Sequence, residues 1–161
     1  MTRVGIISDT HGHADLTRPA VRMFESLDVE VVLHCGDIGS AAVVELFAAW
    51  PTHFVLGNCD WNPQELQSAI ERAEQKFHGQ FGDLEIDGVR IALLHSHERR
   101  KFRECVETGQ WQVVCYGHTH VAIVERRGET LLVNPGAIYR ANPHSVAILE
   151  LPSVKATILE L

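Results

Sequence analysis

Five short polar motifs interrupt the apolar runs of this chain, in the order Asp9-x-His11, Gly36-Asp37, Gly57-Asn58, His95 and Gly117-His118-x-His120, and each follows a stretch patterned as a β-strand. If these seven metal-capable side chains act together, the strands carrying them must all end at one place, which excludes most arrangements of the chain. Two adjacent divalent cations repel strongly, so a site for them needs one carboxylate able to bridge both, plus neutral ligands that complete each shell. Asp37 is the natural bridge. Asp37, Asn58 and His95 are the residues expected to take the most direct part in the chemistry.

The pattern first alternates strand and helix and then turns to hairpins. Residues 4–8 form a short apolar strand, and a helix over 15–27 puts Leu16, Ala20, Met23, Phe24 and Leu27 on one stripe. A strand over 29–34 follows. Ser40 is placed to cap a helix running through Trp50, where Pro51 stops it before a strand over 52–56. Asn62-Pro63 reads as a cap plus a first-turn proline, opening a helix to about Glu74. Strands over 81–86 and 89–94 flank Asp87-Gly88, a type I′ hairpin signal, and a helix over 99–108 ends at Gly109. A strand over 113–116 comes next. Strands over 121–125 and 129–133 form a hairpin about Arg127-Gly128, and strands over 145–151 and 155–159 flank Pro152-Ser153. Parallel βαβ units placed before hairpins imply an α/β fold of two packed mixed β-sheets flanked by helices. The site then lies at the strand C-terminal ends, where open α/β sheets bind ligands.

Composition narrows the function classes. A chain of 161 residues suits one domain, here residues 1–161, burying roughly 68–70% of its unfolded surface. The hydrophobic fraction is 45%, the mean hydropathy is −0.02, and no apolar run approaches the roughly 20 residues of a membrane span. Val4 to Ile7 is too short for a secretory apolar core, so a cytoplasmic location is expected. Cys35, Cys59, Cys105 and Cys115 form no C-x-x-C pair and should stay reduced. A net charge of −7 argues against a nucleic-acid-binding surface, which needs clustered Lys and Arg. The densest basic patch, Arg99-Arg100-Lys101 with Arg103, is offset by Glu98 and Glu104 and reads as a solvated helix face.

The five motifs, in this order over residues 9–120, resemble those of the calcineurin-like metallophosphoesterase superfamily, and the short chain resembles its small prokaryotic phosphodiesterase subgroup. The resemblance implies an αββα sandwich with two metals. One would be held by Asp9, His11, Asp37 and His120, the other by Asp37, Asn58, His95 and His118. Four imidazoles mixed with two carboxylates and an amide suit Mn²⁺ foremost, and Ni²⁺, Fe, Co²⁺ or Zn²⁺, better than Mg²⁺ or Ca²⁺. Two dications against two carboxylates leave a formal charge of about +2, which attracts a phosphate anion. The chemistry implied is attack of a metal-bridging hydroxide on phosphorus.

The chain departs from the family pattern at three points. The fourth motif, commonly H-G-H, is His95-Ser96-His97, so His97 could orient a neighbour or replace His95 as ligand. The third, commonly G-N-H-[DE], is Gly57-Asn58-Cys59-Asp60. A thiol with an ordinary pKa of about 8.5 is a poor acid beside an imidazolium, so weakly basic leaving groups are expected. Cys59 could equally be a small apolar wall, and Asp60 is a candidate partner for a metal-bound histidine. Asn134-Pro135-Gly136-Ala137 resembles the family's N-P-G-S element with Ala137 in place of Ser, and Arg140 could reach a substrate phosphate. His34 lies in an apolar strand and reads as a hydrogen-bonded core histidine, and His13 as a residue supporting the site.

The function expected is a metal-dependent hydrolase of small phosphodiesters. The alternative is a protein-binding scaffold on the same fold, like the retromer subunit that resembles these enzymes, although here every ligand position is filled. A nuclease lacks support because no basic groove is visible in the sequence. The natural substrate is not legible, and self-association as a homo-oligomer stays open.

Overall fold

The computed structural model describes residues 1–161. In chain order the elements are β1 (Thr2–Ile7), α1 (Ala14–Ser26), β2 (Val31–His34), α2 (Ala41–Glu45), β3 (Thr52–Phe54), α3 (Pro63–Arg72), β4 (Lys76–Phe77), β5 (Phe81–Ile86), β6 (Val89–Leu94), α4 (Arg99–Glu107), β7 (Val113–Cys115), β8 (Ile123–Arg127), β9 (Thr130–Asn134), β10 (Ser145–Leu151) and β11 (Lys155–Glu160). They form a six-stranded sheet, ordered β11-β10-β1-β2-β3-β4, and a five-stranded sheet, ordered β5-β6-β7-β9-β8.

Side-chain alternation along the strands builds four layers. Val4, Ile6 and Leu33 of the first sheet, with Val55 just past β3, meet Ile91, Leu93, Val113, Cys115, Leu131 and Val133 of the second, all buried, so this core lies between the sheets. Ile7, Val32 and Phe54 point the other way, onto Ala20 and Phe24 of α1, Val43 and Val44 of α2 and Leu66 and Ile70 of α3. On the outer face of the second sheet, Ala92, Leu94, Val114 and Leu132 pack on Cys105 of α4 and on Trp111. Strands covered on both faces must be apolar on both, which is why β1, β2, β6 and β7 read as continuous rather than alternating runs. No helix is long and apolar enough to cross a membrane.

The expected α/β sandwich of two mixed sheets flanked by helices is the observed one, with local differences. α2 ends at Glu45 rather than Trp50, because the chain tightens there: Leu46, Phe47, Ala48 and Trp50 each donate to the carbonyl three residues back, at 3.1–3.3 Å. That tighter winding buries both Phe47 and Trp50 ahead of Pro51. The hairpin expected about Arg127-Gly128 turns one residue later. Arg127 pairs with Thr130 across Gly128-Glu129, and Gly128 takes the left-handed conformation at φ +59°. Val121 lies outside the strand, its N–H donating to Thr119 Oγ1 at 3.3 Å. The two-residue edge strand β4 was too short to carry a pattern. At Asp87-Gly88 both residues have positive φ, +50° and +73°, as a type I′ turn requires.

β1, β2 and β3 are mutually parallel, as are β6, β7 and β9. The loops that follow these six strands carry every motif residue.

Candidate metal centre

Asp9, two residues beyond β1, is held by its backbone and by one of its oxygens. Its N–H donates to the Gly36 carbonyl at 3.1 Å, joining the loops after β1 and β2. Oδ2 accepts from Ser8 Oγ at 2.5 Å and from the His118 N–H at 3.1 Å. Oδ1 is buried with no hydrogen-bond partner and faces His120 Nε2 at 3.0 Å, His11 Nε2 at 3.6 Å and His95 Nε2 at 3.9 Å.

Asp37, beyond β2, divides its oxygens in the same way. Oδ1 accepts from the Cys59 N–H at 2.8 Å, while Oδ2 lies 3.2 Å from His95 Nε2 and 3.4 Å from His11 Nε2. Asp37 Oδ2 therefore sits between the imidazoles expected for the two halves of the site. His95 Nδ1 is 2.8 Å from the Cys35 carbonyl and His120 Nδ1 is 3.3 Å from the Arg140 carbonyl. A carbonyl only accepts, so both Nδ1 atoms carry the proton and both Nε2 lone pairs point at the carboxylates, the arrangement that a metal-ligating histidine needs. His118 Nδ1 lies 3.0 Å from Asn58 Oδ1, and the His118 ring is 5.1 Å from that of His95.

Backbone strain concentrates in these loops. Asp9, His11, Asp37, Ser96, His118, His120 and Arg140 all have φ between +45° and +80°, where a non-glycine residue costs about 1–2 kcal/mol. Ser96, at the position where the family has Gly, offsets this by donating from Oγ to the Gly117 carbonyl at 3.1 Å. Two glycines are required by close approach. A Cβ on Gly57 would collide with Asp37 Oδ1 and stand 2.5 Å from its backbone N, and one on Gly117 would collide with Ser8 Oγ and stand 2.8 Å from Asp9 Oδ2. Ala137 is fully buried near the site, and Asn134 braces it, its Nδ2 donating to the Gly117 carbonyl at 3.2 Å and to Thr119 Oγ1 at 3.0 Å.

The remaining candidates fall into distinct places. His97 stands apart from Asp9 and Asp37, its ring 5.5 Å from that of His95. Asp60 does not face a histidine as expected. Its carboxylate accepts from the N–H groups of Gly57 (2.8 Å), Gly39 (2.9 Å) and Ile38 (3.3 Å), so it ties the loops after β2 and β3 together. Cys59 Sγ clusters with His11 and Asp37 at the cleft wall. Arg140 meets the site through its carbonyl, and its exposed guanidinium lies 5.3 Å from the Tyr139 ring. His13 stacks on Tyr139 at 4.1 Å. His34 is fully buried: the Gly36 N–H donates to Nδ1, and Nε2–H then donates to Thr10 Oγ1 at 3.0 Å.

The electrostatics favour positive charge at the centre. Burial alone would raise the Asp37 carboxyl, but His95, the Cys59 amide and His11 outweigh it and bring it down to about 2. Asp9 is likewise held low against its burial, by His11, His95, Ser8 and His120. The Asp9 carboxylate, followed by Asp37, raises His11 despite burial, and His95 is raised by the same two carboxylates despite burial. Burial and the neighbouring His95 lower His118. Burial, followed by Asp37, pushes the Cys59 thiol up.

Asp9 Oδ1, His11 Nε2 and His95 Nε2, all buried and without hydrogen-bond partners, converge with Asp37 Oδ2 and His120 Nε2. A mixed carboxylate and imidazole set of this kind fits divalent metal ions. The site opens into a cleft of about 500 Å³, lined by His11, Asp37, Cys59, His118, Tyr139 and Trp61 among others. Trp61 and Tyr139 were not singled out in the sequence. An aromatic directly behind the third motif was the available signal, and Trp61 is 85% exposed.

Residues 2–153 match the family model described as the calcineurin-like phosphoesterase superfamily domain. The chain is 32% identical over 137 residues to phosphodiesterase MJ0936 of Methanocaldococcus jannaschii, covering 83% of this chain and 82% of the relative. An archaeal phosphodiesterase of solved structure superposes with a TM-score of 0.89 at 28% identity, covering 99% of this chain and all of the other. Vps29 of Entamoeba histolytica, solved with zinc, shares the fold at a TM-score of 0.68 and 17% identity, covering 99% of this chain and 91% of its own.

Proposed function

Because the chain belongs to the calcineurin-like phosphoesterase superfamily, we propose that it is a metal-dependent hydrolase of small phosphodiesters with a dinuclear centre. The observation that carries this reading is the convergence of Asp9 Oδ1, Asp37 Oδ2 and the Nε2 atoms of His11, His95 and His120 from four separate loops. The similarity to proteins named phosphodiesterases supports the diester class. Asp9, His11, Asp37 and His120 would hold one cation, and Asp37, Asn58, His95 and His118 would hold the other. Mn²⁺ is the metal we favour, within a single domain over residues 1–161. The four free cysteines suit a reducing compartment such as the cytosol.

Divalent cations bound here would supply Lewis-acid polarisation of the phosphoryl group and a nucleophilic water. The side chains do the rest. Asp37 Oδ2 is aimed by the Cys59 amide on its other oxygen, and the Cys35 and Arg140 carbonyls fix the tautomers of His95 and His120. Asn58 and His118, joined at 3.0 Å, stand beside the cleft where the phosphate is bound. Cys59 follows Asn58 where the family commonly has His, and its thiol, raised further by burial and by Asp37, is a weaker acid than an imidazolium. Substrates whose leaving groups need no proton, such as aryl diesters, are therefore cleaved fastest.

Manganese-loaded protein is expected to hydrolyse an aryl phosphodiester, and Asp37→Ala to lose both this turnover and bound metal. Full turnover in that variant would refute the assignment. A scaffold without catalysis would show no turnover with any divalent metal.

A further inference from the structure

The basic patch on α4 separates into two faces. Lys101 Nζ pairs with Glu104 at 3.1 Å and lies 4.3 Å from the Phe81 ring centre, as a solvated face would arrange it. Arg99 and Arg103, one turn apart, have no carboxylate partner and line a different cleft of about 650 Å³. Arg127 of β8 lines it too, although its guanidinium pairs with Glu125 at 3.0 Å, and Glu107 is the one carboxylate in the wall. His97 and His118 also line this cleft, and the buried Nδ1 of His97 has no hydrogen-bond partner. His118 belongs equally to the wall of the metal cleft, so the two clefts adjoin.

A surplus of guanidinium groups beside a phosphate-processing site, in a chain of net charge −7, is a local inversion of the protein's field. We propose that this cleft binds a second phosphoryl group of the substrate, so that the preferred diesters carry an additional phosphate a short linker away from the scissile one. The inference rests on the phosphodiesterase reading. Side chains four apart on a helix lie on one face, so the planar forks of Arg99 and Arg103 can grip one phosphate, each through two parallel hydrogen bonds. The cleft is open to solvent, which lets an anionic arm enter while the scissile group lies beyond His118.

The test compares metal-loaded protein titrated calorimetrically with a nucleoside 5′-monophosphate and with the matching 3′,5′-bisphosphate, alongside turnover of an aryl diester. Wild type is expected to bind the bisphosphate roughly ten- to a hundredfold more tightly, and R99Q/R103Q to lose most of that advantage. The advantage should shrink between about 0.05 and about 0.5 M salt. R99K/R103K, which keeps the charge without the fork, should restore part of it. R18Q/R22Q removes the same charge at the same spacing from α1, and should retain it. Equal affinities in wild type with intact aryl-diester turnover, or an advantage that survives R99Q/R103Q, would overturn the inference alone. Absence of both turnover and monophosphate binding would overturn the phosphodiesterase reading and this inference together.

Discussion

Alanine at Gly57 tests the geometry of the centre without replacing a ligand. Gly57 does not have positive φ, so an alanine there adds no backbone strain, and its effect comes from the space its methyl group needs. That space is taken by Asp37 Oδ1, with the Asp37 backbone N 2.5 Å away. The carboxylate must swing out, breaking its 2.8 Å hydrogen bond from the Cys59 N–H and withdrawing Oδ2 from His11 and His95. Overpacking costs about 1–3 kcal/mol and losing a hydrogen bond to a charged group about 1.5–3 kcal/mol, with partial relaxation between them. A net loss of about 3 kcal/mol lowers the melting temperature of a domain this size by roughly 6–12 °C. Elemental analysis of Mn²⁺-loaded Gly57→Ala should show loss of metal, and aryl-diester turnover should fall roughly ten- to a hundredfold, as when the support of a metal ligand is lost. Gly88→Ala is the control: Gly88 has φ +73° and nothing within 4 Å of the added methyl, so it costs stability but keeps metal and activity. Full metal occupancy in folded Gly57→Ala would refute the claim that the Asp37 position is fixed by the missing side chain at residue 57.

Three further outcomes follow from the same geometry. Burial lowers His34 to about 3; the unfolded chain therefore takes up a proton that the folded one refuses, and stability falls as pH drops from about 6.5 towards 3, by about 1.4 kcal/mol per unit. Denaturant titrations of metal-free protein at pH 7 and pH 5 should show wild type losing about 2 kcal/mol more than His34→Gln, and equal losses would remove His34 as the cause. Trp61→Ala should raise KM for an aryl diester roughly three- to tenfold with little change in kcat, since the ring offers a stacking face at the cleft mouth; an unchanged KM would show that substrate does not reach it. Chelation should lower the melting temperature, since metal at a hundred times its Kd adds about 2.7 kcal/mol to stability, or roughly 5–11 °C; a melting curve indifferent to chelator would exclude a metal at the centre.

Much of this architecture was legible because strand ends announce themselves. A run such as Val4 to Ile7 that stops at Asp9 marks both a doubly covered strand and the place where a polar group can be held rigidly, and six such ends converge on the cleft. What sequence reasoning missed depends on contacts between distant loops. Asp60 is a candidate histidine partner in sequence, but three backbone amides claim its carboxylate, and no local pattern encodes where those amides will lie. The need for glycine at 57 and 117 is hidden for the same reason: the side chains that exclude a Cβ arrive from positions 37, 8 and 9. The end of α2 was misjudged because propensity and a following proline set a limit on a helix but not the pitch of its last turn. The charges of α4 read as one patch in sequence, and only the fold sorted Lys101 from Arg99 and Arg103.

Asp9, His11, Asp37 and Asn58 hang from one sheet, while His95, His118 and His120 hang from the other. Neither sheet alone supplies the whole ligand set proposed for either cation. The first sheet itself needs β10, from near the end of the chain, to pair with β1. During synthesis Asp9, His11 and Asp37 thus emerge long before His95, His118 and His120, and the centre stays incomplete until the C-terminal half has docked. Enzymatic competence is for this reason a late event in the molecule's assembly, and a refolding experiment scored by turnover will lag one scored by circular dichroism.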